Sequence, residues 1–248
     1  MSQPTTIDVN FDFRQDTPHG ADPDAHSPTL RSYHRLLWSR PLPGGAAFAL
    51  DDNYPKGYLQ HRSPLGEFFL RSDTVIPSFR RERMLASIFE QMLTSEHDEF
   101  MRLTYTMGGM MVFPGNRVAR AMTINGARGF HPRIKDRFDL TLECIRRHYT
   151  GDHSPLSEVL ARYGRFFDLF ESFQGFVEFF LLQDLVSADC SAVRFSAPFT
   201  EFTGSPVPAT LEAYRRYRDL SAEFVAARNA RILSFCSSKA RANLSGLI

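Results

Sequence analysis

The sequence predicts an α+β fold in which a mostly antiparallel N-terminal sheet packs against a C-terminal helical bundle. Residues 27–116 contain short apolar runs separated by turn residues, a pattern typical of strands and hairpins. From residue 117 onward, apolar side chains recur every three or four positions, which is typical of helices. The 248 residues are 43% apolar and include 23 phenylalanines, enough for a large core and too apolar for global disorder. We therefore expect one domain over residues 27–248, strand-rich to 116 and helix-rich from 117.

Residues 1–26 form a separate acidic segment that we expect to be partly flexible. The segment holds five aspartates against the single cation Arg14. Apolar residues alternate with polar ones from Ile7 to Phe13, a period of two that predicts an edge strand ahead of a loose acidic linker.

The N-terminal residues, the cysteines and the net charge exclude several classes of protein. The N-terminus lacks the basic and apolar regions of a signal peptide, and the three cysteines form no CxxC pair. We therefore expect a reduced, cytoplasmic protein without a disulfide framework. The formal net charge of +1 excludes a polybasic protein that binds by bulk electrostatics.

The strand-rich half begins with Ser27-Pro28, an N-cap followed by proline, which predicts a helix to about Trp38. Apolar runs and turn residues then predict four further elements. They are a strand at Ala47–Leu50, a hairpin of Gly57–Gln60 with Glu67–Arg71, a helix at Arg81–Leu93 and a buried strand at Thr106–Phe113.

The helix-rich half follows the same reasoning. A helix is predicted from about Pro132 through Tyr149, and Ser154-Pro155 begins the next helical region. The apolar run 166–186 contains four carboxylates, too many for a bilayer core, so we expect buried helices and no membrane partner. A short strand at Ala192–Ser196 and a long last helix from Leu211 to about Phe235 complete the prediction.

Several catalytic signatures are absent from the sequence. The chain contains no GxxxxGK[ST], no GxG, no HExxH and no GxSxG. Its three lysines form neither ExK nor DxK. A P-loop, a dinucleotide fingerprint and the common lysine-bearing nuclease core are therefore unsupported, and no cofactor is predicted.

The first candidate site is the hairpin HRSPLGEFFLRSD. His61 is predicted to act as general acid or base, with Ser63 on the same strand face. Glu67 or Asp73 would orient the imidazole, and Arg62 and Arg71 would bind phosphate. The alternative is the polar face of a solvent-exposed hairpin.

Two enzyme families share part of this hairpin pattern. The H-x-S triplet resembles one half of a two-histidine phosphoesterase. Arg71-Ser72-Asp73-Thr74 resembles the strands of ADP-ribosyltransferases, but no Glu-x-Glu or Gln-x-Glu follows. Neither activity is predicted.

The second candidate site is TINGARGF, residues 123–130. Asn125-Gly126 and Gly129 flank Arg128, and left-handed glycine turns can present backbone N–H groups to an oxyanion. Arg128 would bind phosphate there together with Asn125 and Arg137. The surrounding segment 117–147 has eight cations and three anions. The alternative is an ordinary Asn-Gly turn followed by a salt-bridged helix.

A row of three carboxylates, Asp136, Asp139 and Glu143, is the only pattern that suggests a metal. Arginines lie three or four residues from these carboxylates, which is salt-bridge spacing and favours ion pairs over a cation site. No metal site is therefore predicted.

Long stretches resemble a bacterial family of unknown function. They are GGMMVFPGN (108–116), TINGARGFHPRIKDRFDLTLECIRRHYTG (123–151) and the apolar stretch 154–186, with the hairpin HRSPLGEFFLRSD. The resemblance covers most of residues 30–235. It implies no established activity, cofactor or catalytic residue.

Three functional hypotheses follow. The first is a metal-independent enzyme acting on a phosphate-bearing substrate, a nucleotide or RNA, in which positions 61–73 and 125–137 meet in one cleft. The second is a non-enzymatic protein-interaction or homo-oligomeric module that assembles through the 211–235 helix. A sequence-specific DNA-binding regulator is disfavoured, because no helix-turn-helix with a basic recognition helix stands out.

Overall fold

The computed structural model describes residues 6–52, 58–80 and 82–245, with side chains to residue 238, and the α+β class is confirmed. The helices are α1 Pro23–His26, α2 Pro28–Trp38, α3 Ala86–Phe89, α4 Thr94–Thr104, α5 Ile124–Phe130, α6 Phe138–Thr150, α7 Ser157–Arg162, α8 Gly164–Phe167, α9 Phe173–Phe179 and α10 Leu211–Ser245. The strands are β1 Arg40–Pro41, β2 Ala47–Phe48, β3 Leu59–Ser63, β4 Gly66–Thr74 and β5 Met110–Pro114. Within these described ranges, no helix has the length and apolar character needed to cross a membrane.

The main sheet is antiparallel, in the order β3-β4-β5. In the register of β3 and β4, His61 lies opposite Phe68 and Arg62 opposite Glu67. Because successive side chains of a strand point to opposite faces, His61, Phe68 and Ser72 share one face, whereas Arg71 and Asp73 belong to the other. This alternation decides which predicted site residues can meet.

Several predicted elements are confirmed, each with a local cause. The Ser27 hydroxyl accepts from the Leu30 N–H at 3.1 Å and caps α2, which ends at Trp38 as expected. The predicted hairpin forms as β3 and β4, although its first residue, Gly57, lies outside the described residues. The last helix begins at Leu211 and extends past Phe235, to Ser245.

The edge strand predicted from Ile7 to Phe13 is wrong, because this segment folds into consecutive turns. The Phe11 N–H donates to the Asp8 carbonyl, and the Gln15 N–H to the Asp12 carbonyl. Val9 and Phe13 are nevertheless buried, so the apolar alternation reports on core contacts and not on a sheet. The boundary at residue 26 and the flexibility of residues 1–26 stay predictions.

Two helix predictions are also wrong in their bounds. One helix was predicted over 81–93, but its described residues, 82–93, contain only a 3₁₀ turn, Arg83–Leu85, followed by the four-residue α3. The 11-residue α4 after it was not predicted. The helix expected from Pro132 begins at Phe138 instead. Lys135 and Asp136 adopt left-handed φ values of 48° and 64°, which a helix does not tolerate.

The last helix joins the sheet to the aromatic core through a buried arginine. The Arg228 guanidinium is fully buried and donates to the Gly108, Met110 and Phe180 carbonyls at 3.0, 2.7 and 3.0 Å. Burial lowers the pKa of Arg228 to about 9. Next to it, the Asn229 side chain accepts from the Gly108 N–H at 2.6 Å. These bonds fix α10 against the start of β5.

We predict that Arg228→Lys lowers the free energy of unfolding by about 2–4 kcal/mol, measured by urea denaturation. An ammonium group cannot reach three carbonyls in fixed fork geometry, so buried acceptors lose their donors. Arg231→Lys is the matched control, since the Arg231–Asp184 ion pair is partly exposed, and we expect a cost below about 1 kcal/mol. Equal costs for the two variants would contradict the structural role assigned to Arg228.

Candidate functional site

His61 is buried in the hairpin and lies between aromatic rings. Its ring centroid is 4.3 Å from that of Phe48 and 6.1 Å from that of Phe68, and the residue is 1% exposed. Nδ1 lies 2.8 Å from the Ala49 carbonyl, which can only accept, so Nδ1 is protonated and Nε2 accepts from the Ser63 hydroxyl at 2.8 Å. The structure therefore brings His61 and Ser63 together, with the imidazole closed off by its neighbours.

Arg62 and Glu67 pair with each other on the opposite, exposed face of the hairpin. The guanidinium contacts Glu67 Oε1 at 2.5 Å, and Gln60 donates to the same oxygen. The hydrogen bond from Arg62 lowers the pKa of Glu67. The Glu67 carboxylate therefore neutralises Arg62 and cannot orient His61, which lies across the sheet.

Asp73 and Arg128 form a buried ion pair on the same face of the sheet as Arg71. The Arg128 guanidinium is fully buried, whereas the Asp73 side chain is 23% exposed. Burial raises the pKa of Asp73 to about 7, against the opposing effect of Arg128. His61 therefore lies on the other face of the sheet from Arg71 and Asp73, and the predicted hollow that joins His61 to Arg71 and Arg128 is not formed.

Arg128 is fully occupied by protein acceptors. Besides Asp73, its guanidinium contacts both the carboxylate and the main-chain carbonyl of Asp136. It also donates to the Val75 carbonyl and to Thr141 Oγ1, each at 3.3 Å. These contacts engage all three guanidinium nitrogens, so little donor capacity remains for a phosphate. The guanidinium instead holds the left-handed backbone at Asp136 in place.

The glycine cradle predicted around Arg128 is wrong in its geometry. Asn125, Gly126 and Gly129 lie within α5, where the Thr123 hydroxyl accepts from the Gly126 N–H as an N-cap. Neither glycine is among the residues with positive φ, so no run of left-handed turns presents N–H groups to an anion. The Asn125 amide donates to the Ser72 carbonyl at 3.3 Å, joining α5 to β4.

Arg137 forms a buried bidentate pair with Asp139, with contacts of 3.0 and 2.6 Å. Its remaining donors contact the Pro206 carbonyl at 3.3 Å and the Ala197 carbonyl at 3.4 Å. The Asp139 carboxylate in turn accepts from the Ser196 N–H and hydroxyl, both at 2.9 Å. The pair therefore anchors the loop that follows residue 194.

All three carboxylates of the row form ion pairs, but only Glu143 does so at the predicted spacing, since Asp136 pairs with Arg128 and Asp139 with Arg137. Arg146 and Arg147 each contact Glu143 at 2.8 Å. Burial opposes ionisation of Glu143, but the hydrogen bonds from the two arginines outweigh it and lower the pKa of this carboxyl. In the part of the chain that the structure describes, no group of three or more His, Cys, Asp or Glu side chains could hold a metal ion. The binding and catalytic roles assigned to the hairpin and to residues 125–137 stay predictions.

A second histidine–serine contact was missed by sequence reasoning. The Trp38 indole N–H donates to His34 Nδ1 at 2.9 Å, so Nε2 of the neutral ring carries the proton and donates to Ser72 Oγ at 3.0 Å. The Ser72 hydroxyl then donates to Asp24 at 2.7 Å, and the Thr74 hydroxyl donates to the same carboxylate. Asp24 accepts from the serine and not from the imidazole, so this series of hydrogen bonds has the opposite order to that of a catalytic triad. It joins α1 and α2 to β4.

A concave site lies elsewhere, along α10. A cleft of about 310 Å³ opens between α10, the 3₁₀ turn Gln183–Leu185 and the loop at residues 194–196. We call it the Ser221 cleft. Its apolar walls are formed by Ile76, Phe138, Leu185, Phe195, Leu220, Phe224 and Ala227. A volume near 300 Å³ is at the lower end of the range of small-molecule sites.

The polar groups of the Ser221 cleft differ in whether they have a hydrogen-bond or ion-pair partner. The Ser221 hydroxyl lies beside the Tyr217 phenol, is 2% exposed and has no hydrogen-bond partner of normal geometry. Asp184 pairs with Arg231 at 2.8 Å. At the mouth, the exposed Arg194 and Glu223 have no ion pair within the described residues.

Few features of the sequence predict the cleft. Tyr217, Ser221 and Phe224 follow at three- and four-residue spacing on α10, which is the pattern of any packed helix face. The partner wall comes from residues 184–196, which lie about thirty residues earlier and include only an isolated bridge between Val186 and Val193. The one usable signal was a polar Ser221 within an otherwise apolar helix face.

A match to a family model covers residues 7–232 of this chain and is described as a family of unknown function, DUF6994. The chain belongs to this family. The resemblance seen in the sequence motifs is thereby confirmed, and it extends over nearly the whole chain. No curated protein and no solved structure matches the chain. Function must therefore be argued from the geometry of this member of the family.

We predict that His34 makes the protein acid-sensitive. Burial lowers the pKa of His34 to about 3, whereas the unfolded chain titrates near 6.5. Between these values the unfolded state binds more protons, so the free energy of unfolding falls as pH falls from 6.5 toward 3. His34→Gln keeps one acceptor for Trp38 and one donor for Ser72 but cannot titrate.

Urea denaturation at pH 7 and pH 5 tests this prediction. Over that interval, we expect wild-type protein to lose about 2 kcal/mol more free energy of unfolding than His34→Gln. Equal losses would show that His34 is not responsible for the acid sensitivity.

Proposed function

We propose that this protein is a small-molecule-binding module, whose ligand has an apolar body and an oxyanion head, either carboxylate or phosphate. The observation that supports it most directly is the buried Ser221 hydroxyl, which has no hydrogen-bond partner of normal geometry, in a cleft with Arg194 at its mouth. A buried unsatisfied hydroxyl costs about 1–3 kcal/mol, which a ligand that supplies a polar atom would recover.

The walls of the Ser221 cleft suit the apolar body of such a ligand. Phe138 is 1% exposed, and Leu185 and Phe224 are also buried. They form a fixed apolar surface in front of Ser221, so little side-chain ordering is needed when a ligand binds.

The guanidinium of Arg194 at the mouth of the cleft favours an anionic head group. Arg231 neutralises Asp184, which leaves the guanidinium of Arg194 and the carboxylate of Glu223 without ion-pair partners among the described residues. A guanidinium binds carboxylate or phosphate through two parallel hydrogen bonds, which gives it geometric preference over a point charge. Glu223 repels the same head group and limits its affinity.

Two of the three carboxylates that line the cleft, those of Asp139 and Asp184, pair with Arg137 and Arg231. No histidine is among its described lining residues, and no base lies within hydrogen-bonding distance of the Ser221 hydroxyl. The proposal retains the oxyanion recognition predicted for a phosphate-bearing ligand and assigns it to Arg194. Assembly through the 211–235 helix stays a prediction.

One observation favours a second candidate, the predicted enzyme acting on a phosphate-bearing substrate. Ser63 donates to His61 Nε2 while the Ala49 carbonyl orients the ring, which is the hydrogen-bond direction of an activated serine. A fluorophosphonate probe followed by mass spectrometry tests this candidate. An adduct on Ser63 in wild-type protein that is lost in His61→Gln would favour it, and an unlabelled Ser63 would count against it.

We predict that hexanoate or hexyl phosphate raises the thermal midpoint of the wild-type protein and that hexanol does not. The alkyl chain fills the same apolar space in all three probes, so the difference isolates the head group. Arg194→Gln removes the guanidinium and should abolish the shift, whereas Glu223→Gln removes a repelling charge and should increase it. Arg216→Gln, at an exposed position on the same helix outside the cleft, is the matched control.

We predict that Ser221→Ala stabilises the protein but weakens ligand binding. Removing an unsatisfied hydroxyl should raise the free energy of unfolding by about 1 kcal/mol and weaken ligand binding. Two results would overturn the proposal: a hexanol shift equal to that of hexanoate, or a shift that survives Arg194→Gln.

A further inference from the structure

One long stretch of the chain contains no acidic residue. Between Glu99 and Asp136 the sequence has six arginines and lysines and no aspartate or glutamate, in a protein with 28 acidic residues among 248. The stretch includes β5, α5 and the loop between them. Its charge is therefore balanced only where other segments supply carboxylates.

Two of these cations are neutralised by other segments and do not contribute to the surface. Arg128 is buried against Asp73, and Lys135 contacts Glu82 at 2.9 Å. Arg117, Arg120 and Arg133 are exposed, and no carboxylate of the described residues lies within ion-pair distance of them. The surface around α5 therefore has three guanidinium groups without ion-pair partners.

Two large apolar side chains of the same stretch are exposed. Phe130 is 79% exposed and Met122 is 47% exposed. Met122 Cγ lies only 2.7 Å from where a β-carbon of Gly126 would be, so the Met122 side chain covers this glycine. Gly126 and Phe130 are one helical turn apart, which places both on the same side of α5. Met122, Gly126 and Phe130 form what we call the Phe130 stripe.

The helix α7, which contacts α5, does not reverse the charge of this surface. Its Arg162 donates to the Met122 carbonyl at 3.0 Å, and its one acidic residue is the exposed Glu158. The carboxylate of Asp136 also lies beside Gly129 of α5, but it pairs with the buried Arg128. Arg117, Arg120, Arg133 and Arg162 therefore stand against one carboxylate without an ion-pair partner, that of Glu158, in α5, α7 and the segments adjoining α5.

We propose that the Phe130 stripe binds single-stranded nucleic acid. One base would stack on the Phe130 ring, and the flanking phosphates would contact Arg117, Arg120 and Arg133. An exposed aromatic ring beside a positively charged surface is the combination that single-strand-binding proteins use, because every base has a stacking face. This site is independent of the Ser221 cleft and of the ligand proposed for it.

The observations favour a single strand over two other anionic partners. A bilayer is held by burying a broad apolar face, and here only two apolar side chains protrude. A duplex hides the faces of its bases, so the Phe130 ring would gain no stacking contact. A single strand uses the ring and the guanidinium groups together.

Fluorescence anisotropy with a labelled twelve-nucleotide oligouridine tests the proposal. We expect wild-type protein to bind, and Phe130→Ala to bind about 5- to 100-fold more weakly. Arg120→Gln combined with Arg133→Gln should weaken binding and reduce the slope of log affinity against log salt by about 1.4. Met84→Ala, at another exposed apolar side chain, and Arg216→Gln are the matched controls.

Three results would overturn the proposal. They are no binding to the oligouridine at low salt, wild-type affinity in Phe130→Ala, or binding to phosphatidylserine vesicles without binding to the oligouridine. Arg194→Gln should leave oligouridine binding unchanged, which separates this site from the Ser221 cleft. Thermal midpoints of all variants verify that each is folded before its affinity is compared.

Discussion

A buried cation without a carboxylate partner determines how the halves of this protein join. Arg228 lies inside the core and donates from its two terminal nitrogens to three main-chain carbonyls, two before or within β5 and one after α9. Carbonyls in fixed positions can solvate a guanidinium only if all surrounding segments are correctly placed. The register of α10 on the sheet is therefore tightly specified, and the cleft wall formed by this helix is fixed with it.

Buried arginines recur as cross-links in this fold. Arg128 joins α5 to β4 and supports the left-handed residues before α6, and Arg137 anchors the loop after residue 194. A guanidinium has five donors in one plane, so it can bind several acceptors from different segments, which a lysine cannot do with comparable geometry. Fully buried, these groups make no contact with solvent or with a soluble ligand.

Both of our binding proposals accordingly use arginines whose donors are not used inside the protein. Arg194 lies at the mouth of a cleft with apolar walls and one buried hydroxyl that has no partner of normal geometry, and Arg120 and Arg133 precede and follow the exposed Phe130 in the sequence. The two surfaces differ in physical character. The cleft has apolar walls and one arginine and one glutamate without ion-pair partners at its mouth, whereas the stripe is open and adjoins segments with excess positive charge.

The sequence by itself determined the fold class, the capped start of α2, the hairpin and the long last helix, because each depends on local patterns of apolar, turn and capping residues. It also indicated correctly that the carboxylates of α6 form ion pairs. Only the tertiary structure decided which guanidiniums are buried, since Arg128 and Arg194 look alike in the chain and differ in the acceptors that distant segments bring to them. Likewise, strand register, which depends on pairing between segments, placed His61 and Arg71 on opposite faces of the sheet.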